Sequence, residues 1–133
     1  MVGPPTPVVY DSGALIAAER DDQRFRSAHL RFVAQERLIL VPAPVLTQVW
    51  RGGPRQARLT WALRSCEIAP TTEADARSAG VVMGRSRTSD AVDAIVVATS
   101  QRLDALVVTS DPDDLDLLWR SAETDKPPRL FVV

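Results

Sequence analysis

Cysteine and histidine are almost missing from this chain of 133 residues, which has only Cys66 and His29. One cysteine excludes an internal disulfide and any Cys-rich zinc site, and it suits a reducing compartment. An excess of either charge is missing too. With 16 basic and 17 acidic residues the net charge is -1, so the chain lacks the basic field of a protein that coats nucleic acid, and any polyanion must be met by local patches. No apolar run approaches the roughly 18 to 20 residues of a membrane span. The Pro-rich start, Met1 to Pro7, has no apolar signal-peptide core, so the chain reads as cytosolic with an N-terminal extension over 1–7. There is no Gly-x-x-x-x-Gly-Lys-Ser/Thr loop and no Gly-x-Gly-x-x-Gly, which argues against a P-loop and against a dinucleotide site. Internal repeats and low-complexity segments are absent.

What remains is an alternation of apolar strands and longer helical patterns. Val8 to Tyr10 reads as a strand running into the turn Asp11-Ser12-Gly13, which opens a short helix from Ala14 to Ala17. A second helix begins at Asp21-Asp22 and turns Phe25, Ala28, Phe32 and Leu30 to its apolar side. Leu38 to Val41 is the second strand, followed by a helix that starts at Pro42 and Pro44 and ends before Gly52-Gly53. A helix from Pro54 to Arg64 leads to a strand at Cys66 to Ala69, and Thr72 with Asp75 resembles a capping box for a helix to Met83. The polar loop Gly84 to Ser89 precedes an apolar helix from Asp90 to Leu103. A strand over Ala105 to Thr109, a helix opened by Pro112 and a last strand over Arg129 to Val133 complete the chain. Strands separated by helices predict one α/β domain over 1–133, with a mostly parallel sheet and helices on both faces. At this length about two thirds of the unfolded surface leaves water on folding.

In such a fold the carboxyl ends of the strands meet at one crevice, where acids distant in sequence can gather around a hard cation. Asp11 directly follows the first strand; there it either ligates a cation or caps the helix after it. Asp90 and Asp93 are three apart on the first turn of a helix, a spacing that suits both a shared ligand face and ordinary capping. Asp111 ends a strand as Asp11 does, whereas Asp113, Asp114 and Asp116 read as a solvated helix face. His29 has no partner motif and reads as a surface or half-buried structural residue. Trp50, Trp61 and Trp119 read as packing residues. Arg51, Arg55, Arg58, Arg85 and Arg87 are candidates for phosphate contacts.

Four stretches together resemble the PIN-domain ribonucleases, in particular the VapC-type toxins of bacterial toxin–antitoxin pairs. They are Tyr10-Asp11-Ser12-Gly13-Ala14-Leu15-Ile16-Ala17, Val41-Pro42-Ala43-Pro44-Val45-Leu46, Asp90-Ala91-Val92-Asp93-Ala94-Ile95-Val96-Val97-Ala98, and Val107-Val108-Thr109-Ser110-Asp111. The resemblance spans about Val8 to Leu130. It implies a PIN-like α/β fold, an acidic pocket holding Mg²⁺ or Mn²⁺, and metal-assisted cleavage of single-stranded or looped RNA. It also implies a small VapB-like antitoxin as partner, and self-association as a homodimer. Asp11, Asp93 and Asp111 match the family's first, third and fourth acidic positions, with Asp90 a near neighbour in the metal set.

The family's second acid is replaced here by Gln48. An amide oxygen ligates weakly or accepts a hydrogen bond, and it removes one negative charge from the site. Glu19, two turns beyond Asp11, either reaches back and partly replaces that charge or is solvated beside Arg20, with Ser12, Thr109 and Arg51 as further pocket candidates. Gln48 also keeps open a catalytically weakened PIN-like module that binds RNA or protein. A third reading is an α/β ligand-binding or phosphoryl-transfer domain with acids at its strand ends.

Overall fold

A computed structural model describes residues 3–88 and 90–133. Among these, five strands and seven helices follow one another in the order β1 (Val8–Tyr10), α1 (Ser12–Glu19), α2 (Gln23–Ala34), β2 (Ile39–Pro42), α3 (Ala43–Val49), α4 (Ala57–Leu63), β3 (Glu67–Ala69), α5 (Glu73–Ser86), α6 (Ala91–Leu103), β4 (Leu106–Thr109), α7 (Pro112–Arg120) and β5 (Arg129–Val132). The sheet has the order β3-β2-β1-β4-β5, and every neighbouring pair is parallel.

That order creates a switch point. From β1 the chain steps through β2 to β3 in one direction; it then crosses back past β1 to β4 and continues to β5 in the other. Right-handed crossovers therefore place α1 to α4 on one face and α5 to α7 on the opposite face. Central strands covered on both sides need continuous rather than alternating apolar residues. Val8, Val9 and Tyr10 are accordingly all fully buried, as are the residues of β2, while the edge strands β3 and β5 are partly exposed. The order reverses between β1 and β4, where a crevice opens beyond the carboxyl ends of the strands.

Local chemistry sets the helix starts. Asp11, Asp22, Thr72 and Asp90 each accept a backbone N–H from the first turn of α1, α2, α5 and α6, and Pro112 stands at the start of α7. Only half of the expected capping box forms at α5. Thr72 accepts from the Asp75 amide at 3.1 Å, but the Asp75 carboxylate turns away to take two hydrogen bonds from Arg102 on α6, at 2.9 and 3.0 Å. A bidentate guanidinium outcompetes a single backbone N–H for a buried carboxylate.

Four further expectations are corrected. The helix expected to stop at Met83 continues through Gly84 to Ser86 and closes at Arg87 in the left-handed conformation (φ 59°); Ser89, the last residue of the expected loop, lies outside the described residues, as do residues 1 and 2 of the N-terminal extension. Packing of α5 along α6 outweighs the helix penalty of Gly84, about 1 kcal/mol. His29 is fully buried rather than half-exposed: its Nδ1 and the Tyr10 hydroxyl share a hydrogen bond of 2.6 Å and its ring stacks on Phe25, while its Nε2 has no partner among the described residues. Leu30, assigned to the apolar side of α2, is exposed, and His29 takes that side with Phe25, Ala28 and Phe32. Of the three tryptophans only Trp119 is buried, donating from Nε1 to the Lys126 carbonyl; Trp50 and Trp61 are 41% and 44% exposed.

Candidate metal centre

β1 and β4 leave the sheet side by side. Their register sets Tyr10 against Val108, and the Asp11 amide continues the pairing by donating to the Val108 carbonyl at 3.2 Å. Asp11 is thus fixed at the first position beyond the sheet, only 4% exposed, and one of its carboxylate oxygens accepts from the Ala14 amide at 3.0 Å. This close approach requires Gly13. A Cβ there would lie 2.1 Å from the Ser110 Oγ and 2.8 Å from the Ser110 backbone nitrogen, so any larger residue would push α1 off the end of β4.

Asp11, Asp90, Asp93, Asp111, Asp114 and Gln48 all line a cavity of about 260 Å³ at this switch point. Three of the acids, Asp11, Asp90 and Asp111, are the N-cap residues of α1, α6 and α7. Three helix starts therefore turn their positive dipole ends toward one space, which lowers the cost of crowding carboxylates there. No Lys or Arg lines the cavity among the described residues.

Three of these carboxyls, Asp93, Asp11 and Asp114, hold their protons more tightly than free ones do. Burial pushes Asp93 up to about 7, helped by the charge and hydrogen bond of Asp90 and by the charges of Asp11 and Asp114. Burial also raises Asp11, against the hydrogen bonds from Thr109, Ala14 and Gly13, and the charge of Asp111 adds to the rise. Asp114 is raised by its hydrogen bond with Asp111 and by the Asp111 charge. Burial leads the shifts of Asp93 and Asp11, and the neighbouring acid leads that of Asp114.

The expectation that Asp11, Asp93 and Asp111 converge within reach of one ion is not met by the side chains as they stand. Among the described residues no three carboxylate, His or Cys side chains are close enough together to hold a metal ion. The nearest neighbours of Asp93 and Asp114 among the acids are Asp90 and Asp111, whose charges help raise them. The donor set nevertheless fits Mg²⁺ or Mn²⁺, because it offers several anionic oxygens, no soft ligand and no competing cation.

The other candidates separate. Ser12 and Gln48 line the cavity, and Gln48 lies on α3, directly after β2. Thr109 lies buried beneath it, where its hydroxyl accepts from the Asp111 amide at 2.9 Å and restrains the turn. Glu19 does not line it: its carboxylate accepts from Gln56 Nε2 at 2.8 Å, which ties the end of α1 to the turn after α3. Arg51 is folded back on the carboxyl end of α3, donating to the carbonyls of Thr47, Gln48 and Trp50. Arg58 pairs with Asp21 and Arg85 with Glu123, so neither faces the acids. Asp114 is exposed, as expected of a solvated helix face, and it also lines the cavity. Its signal was present in the sequence, because Asp111 and Asp114 repeat the spacing of Asp90 and Asp93.

Comparison with known proteins places this geometry. No curated protein matches the chain by sequence. Among solved structures, a toxin–antitoxin complex from Klebsiella pneumoniae superposes with a TM-score of 0.69 at 16% identity, covering 94% of this chain and 96% of that one. VapBC2 from Rickettsia felis, bound to a DNA fragment from its promoter, gives 0.63 at 14% identity, covering 77% and 86%. PAE2754 from Pyrobaculum aerophilum gives 0.58 at 16% identity, covering 88% and 82%. At these identities the likeness is one of fold. The PIN domain sequence profile matches residues 8–117, from the first residue of β1 into α7 and across every acid of the cavity: the chain belongs to the PIN-domain family.

Proposed function

We propose that this protein is a Mg²⁺- or Mn²⁺-dependent endoribonuclease and the toxin of a VapBC-type pair, acting in the cytoplasm. The observation that carries the reading is the switch-point cavity, where acids from the starts of α1, α6 and α7 meet with no basic residue among them. Phosphodiester hydrolysis is the chemistry such a set serves. A bound divalent ion would orient the phosphate, acidify the attacking water and balance charge on the leaving oxygen.

The protein's own groups divide the remaining work. Asp11, Asp93 and Asp111 would hold the ion, with Asp90 beside them. Asp11 is oriented by the Ala14 amide and by its burial, so it keeps one oxygen for the cavity. Burial and its acidic neighbours push Asp93 up to about 7, so a bound cation would favour its charged form. The Gln48 amide both donates and accepts, and it suits a phosphate or ribose oxygen of the substrate. Because the cavity has no cationic lining, RNA affinity would come through the ion and from arginines outside the cavity, and it should fall with salt.

A groove of about 320 Å³ between α2 and α4 suits the antitoxin. Ala18, Phe25, Ala57 and Trp61 provide an apolar floor and wall, and Arg26 and Arg58 stand at its side. An antitoxin segment with an apolar anchor and a neighbouring carboxylate fits that chemistry. The structural neighbours described as toxin–antitoxin complexes support this partner class, and self-association as a homodimer belongs to the same reading.

The replacement of an acid by Gln48 favours a second reading, a PIN module that binds RNA or protein with weakened catalysis. One experiment separates the two: digestion of a mixed RNA pool by the parent and by Asp11→Asn, with and without Mg²⁺ or Mn²⁺. Ion-dependent cleavage that Asp11→Asn abolishes is the expected result. Binding of the pool without any cleavage would leave the second reading.

A further inference from the structure

We propose that the turn after α3 is the platform on which the substrate strand lies as it leaves the cavity, with Trp50 stacking on an unpaired base and Arg51 and Arg55 holding phosphates. The inference takes its substrate, RNA, from the reading above, and its place from residues outside the acidic cluster.

The first observation is charge. No acidic residue stands between Glu36 and Glu67, a stretch that holds β2, α3 and α4 and carries Arg37, Arg51, Arg55, Arg58 and Arg64. In a chain of net charge -1, such a segment is the local basic patch that a polyanion needs. Arg58 pairs with Asp21, whereas Arg51 and Arg55 form no ion pair among the described residues. Their charge is left for a ligand.

The second observation is an aromatic ring beside those cations. Trp50 is exposed and ends α3 two residues beyond Gln48, which lines the cavity. Two residues span at most about 7 Å, so the indole stands next to the cavity rim. Arg51 stands there too, since it donates from Nη2 to the Gln48 carbonyl at 3.0 Å, while its Nε–H has no partner among the described residues. Arg55 is exposed in the following turn, Pro54–Gln56. An exposed ring flanked by unpaired cations is what single-stranded nucleic acid binds, the base on the ring and the phosphates on the guanidiniums.

The third observation is rigidity. Gln56, 3% exposed, spends its whole side chain on this turn. Its Oε1 accepts from the Arg51 and Gly52 amides at 2.8 and 2.9 Å, and its Nε2 donates to the Val49 carbonyl and to Glu19, both at 2.8 Å. Gly52 (φ 79°) and Gly53 (φ 92°) supply the left-handed backbone that the reversal requires. A turn ordered before the ligand arrives lowers the entropy cost of binding it. It also explains why Glu19 lies away from the cavity: it anchors the platform through Gln56.

Fluorescence anisotropy of the whole chain with a labelled single-stranded RNA of mixed sequence, in EDTA, reads binding without cleavage. The parent should bind this strand more tightly than a duplex of the same sequence, whose bases are already stacked on one another. Trp50→Ala should raise Kd about 10-fold, the loss of one base–aromatic stack. Arg51→Ala and Arg55→Ala should each lower the slope of log affinity against log salt by about 0.7, one phosphate contact on a single strand. Arg77→Ala, on the opposite face of the sheet, should change nothing. RNA should quench the tryptophan emission of the parent and not that of Trp50→Phe, which retains Trp61 and Trp119. Circular dichroism checks folding, and Trp50→Phe, which keeps an apolar ring, stands in if the Ala variant does not fold.

Parental binding by Trp50→Ala, equal affinity for duplex and single strand, or no RNA binding by the parent in EDTA would each overturn the proposal. Parental RNA binding by Trp50→Ala together with a changed mass of the chain on size exclusion would instead assign the turn to a protein interface. Cleavage is a separate readout. If the parent binds RNA at Trp50 but never cleaves it with Mg²⁺ or Mn²⁺, the nuclease reading falls and the platform stands; if Trp50→Ala binds and cleaves as the parent does, the platform alone falls.

Discussion

Two concavities share helix α1 and have opposite electrostatics. Ser12, Gly13 and Ile16, at its start, line the acidic cavity, and Ala18, near its end, lines the groove between α2 and α4. The cavity is built from helix starts and strand ends, and no basic residue lines it among those described. The groove is built from helix sides, and both of its cations are already satisfied, since Arg26 and Arg58 each pair with Asp21. The difference separates what each can hold. Unbalanced charge in a rigid frame suits an ion, whereas an apolar wall beside exposed, exchangeable ion pairs suits a protein segment. If that division is right, variants on one side should leave the other intact.

The largest effect is expected from Asp11→Asn. Asn caps a helix nearly as well as Asp, and it removes a carboxylate whose charge is disfavoured by burial, so stability should hold or rise. Ion-dependent RNA cleavage should fall by more than about 100-fold, beyond the loss seen when a residue merely behind a metal ligand is removed. Partner binding at the groove should not change. Cleavage at the parental rate would show that the cavity is not the reactive site.

Gly13→Ala should be next, and it should spread across the boundary. The added methyl would meet the Ser110 backbone nitrogen at 2.8 Å, which cannot move without dragging the end of β4. A cost of about 1–3 kcal/mol is expected, the range for overpacking, read as a lower urea midpoint with an unchanged slope. Because the displaced turn carries Asp111, Mn²⁺ affinity should fall as well. A variant as stable as the parent would mean that α1 and β4 have more room than their separation implies.

The same contrast explains what was legible in the sequence. Strands β1, β2 and β4 announced themselves as apolar runs ending in Asp or Pro, and the cavity's main acids followed from those ends. Glu19 was misplaced because helical periodicity gives the side of a residue but not its reach: at 1.5 Å per residue it stands about 12 Å along the axis from Asp11, and Gln56 claims it. Asp114 was passed over because three acids close together, Asp113, Asp114 and Asp116, look like a solvated face unless the spacing to Asp111 is weighed. The depth of His29 and Trp61 was misjudged, His29 being buried and Trp61 exposed. Their contact, ring edge to ring at 5.6 Å, joins residues 32 positions apart and depends on how α2 meets α4.

The groove offers the next test. Trp61→Ala should remove the largest apolar surface a docked segment could use, and Arg58→Glu should repel a docked carboxylate. With a VapB-type antitoxin of the kind proposed, Trp61→Ala is expected to cost about 2 kcal/mol of binding, close to a 30-fold rise in Kd. Mn²⁺ affinity and RNA cleavage by the chain alone should stay at parental values. An unchanged Kd for both variants would remove the groove as the docking site while leaving the metal centre in place.

The smallest effect is a pH dependence that separates the cavity from the rest of the molecule. Asp93 titrates near 7 in the folded chain, against about 3.9 for an unfolded Asp. Between those values the folded state binds more protons than the unfolded one, so without metal the Asp93 contribution to stability is complete below about pH 4 and is lost as the pH rises through about 7. Asp11 and Asp114, also raised, act in the same direction. His29, lowered by its burial, acts in the opposite sense and costs stability as the pH falls below its unfolded value of about 6.5. Comparing Asp93→Asn with the parent isolates the carboxylate: its melting temperature should exceed the parent's at pH 7.5 and approach it at pH 4.5. Saturating Mn²⁺ should reverse the order at pH 7.5, since an ion binds the charged parental site and stabilises it by mass action. A difference between the two proteins that does not vary with pH, or Mn²⁺ stabilisation that is equal in both, would place the raised proton somewhere other than Asp93.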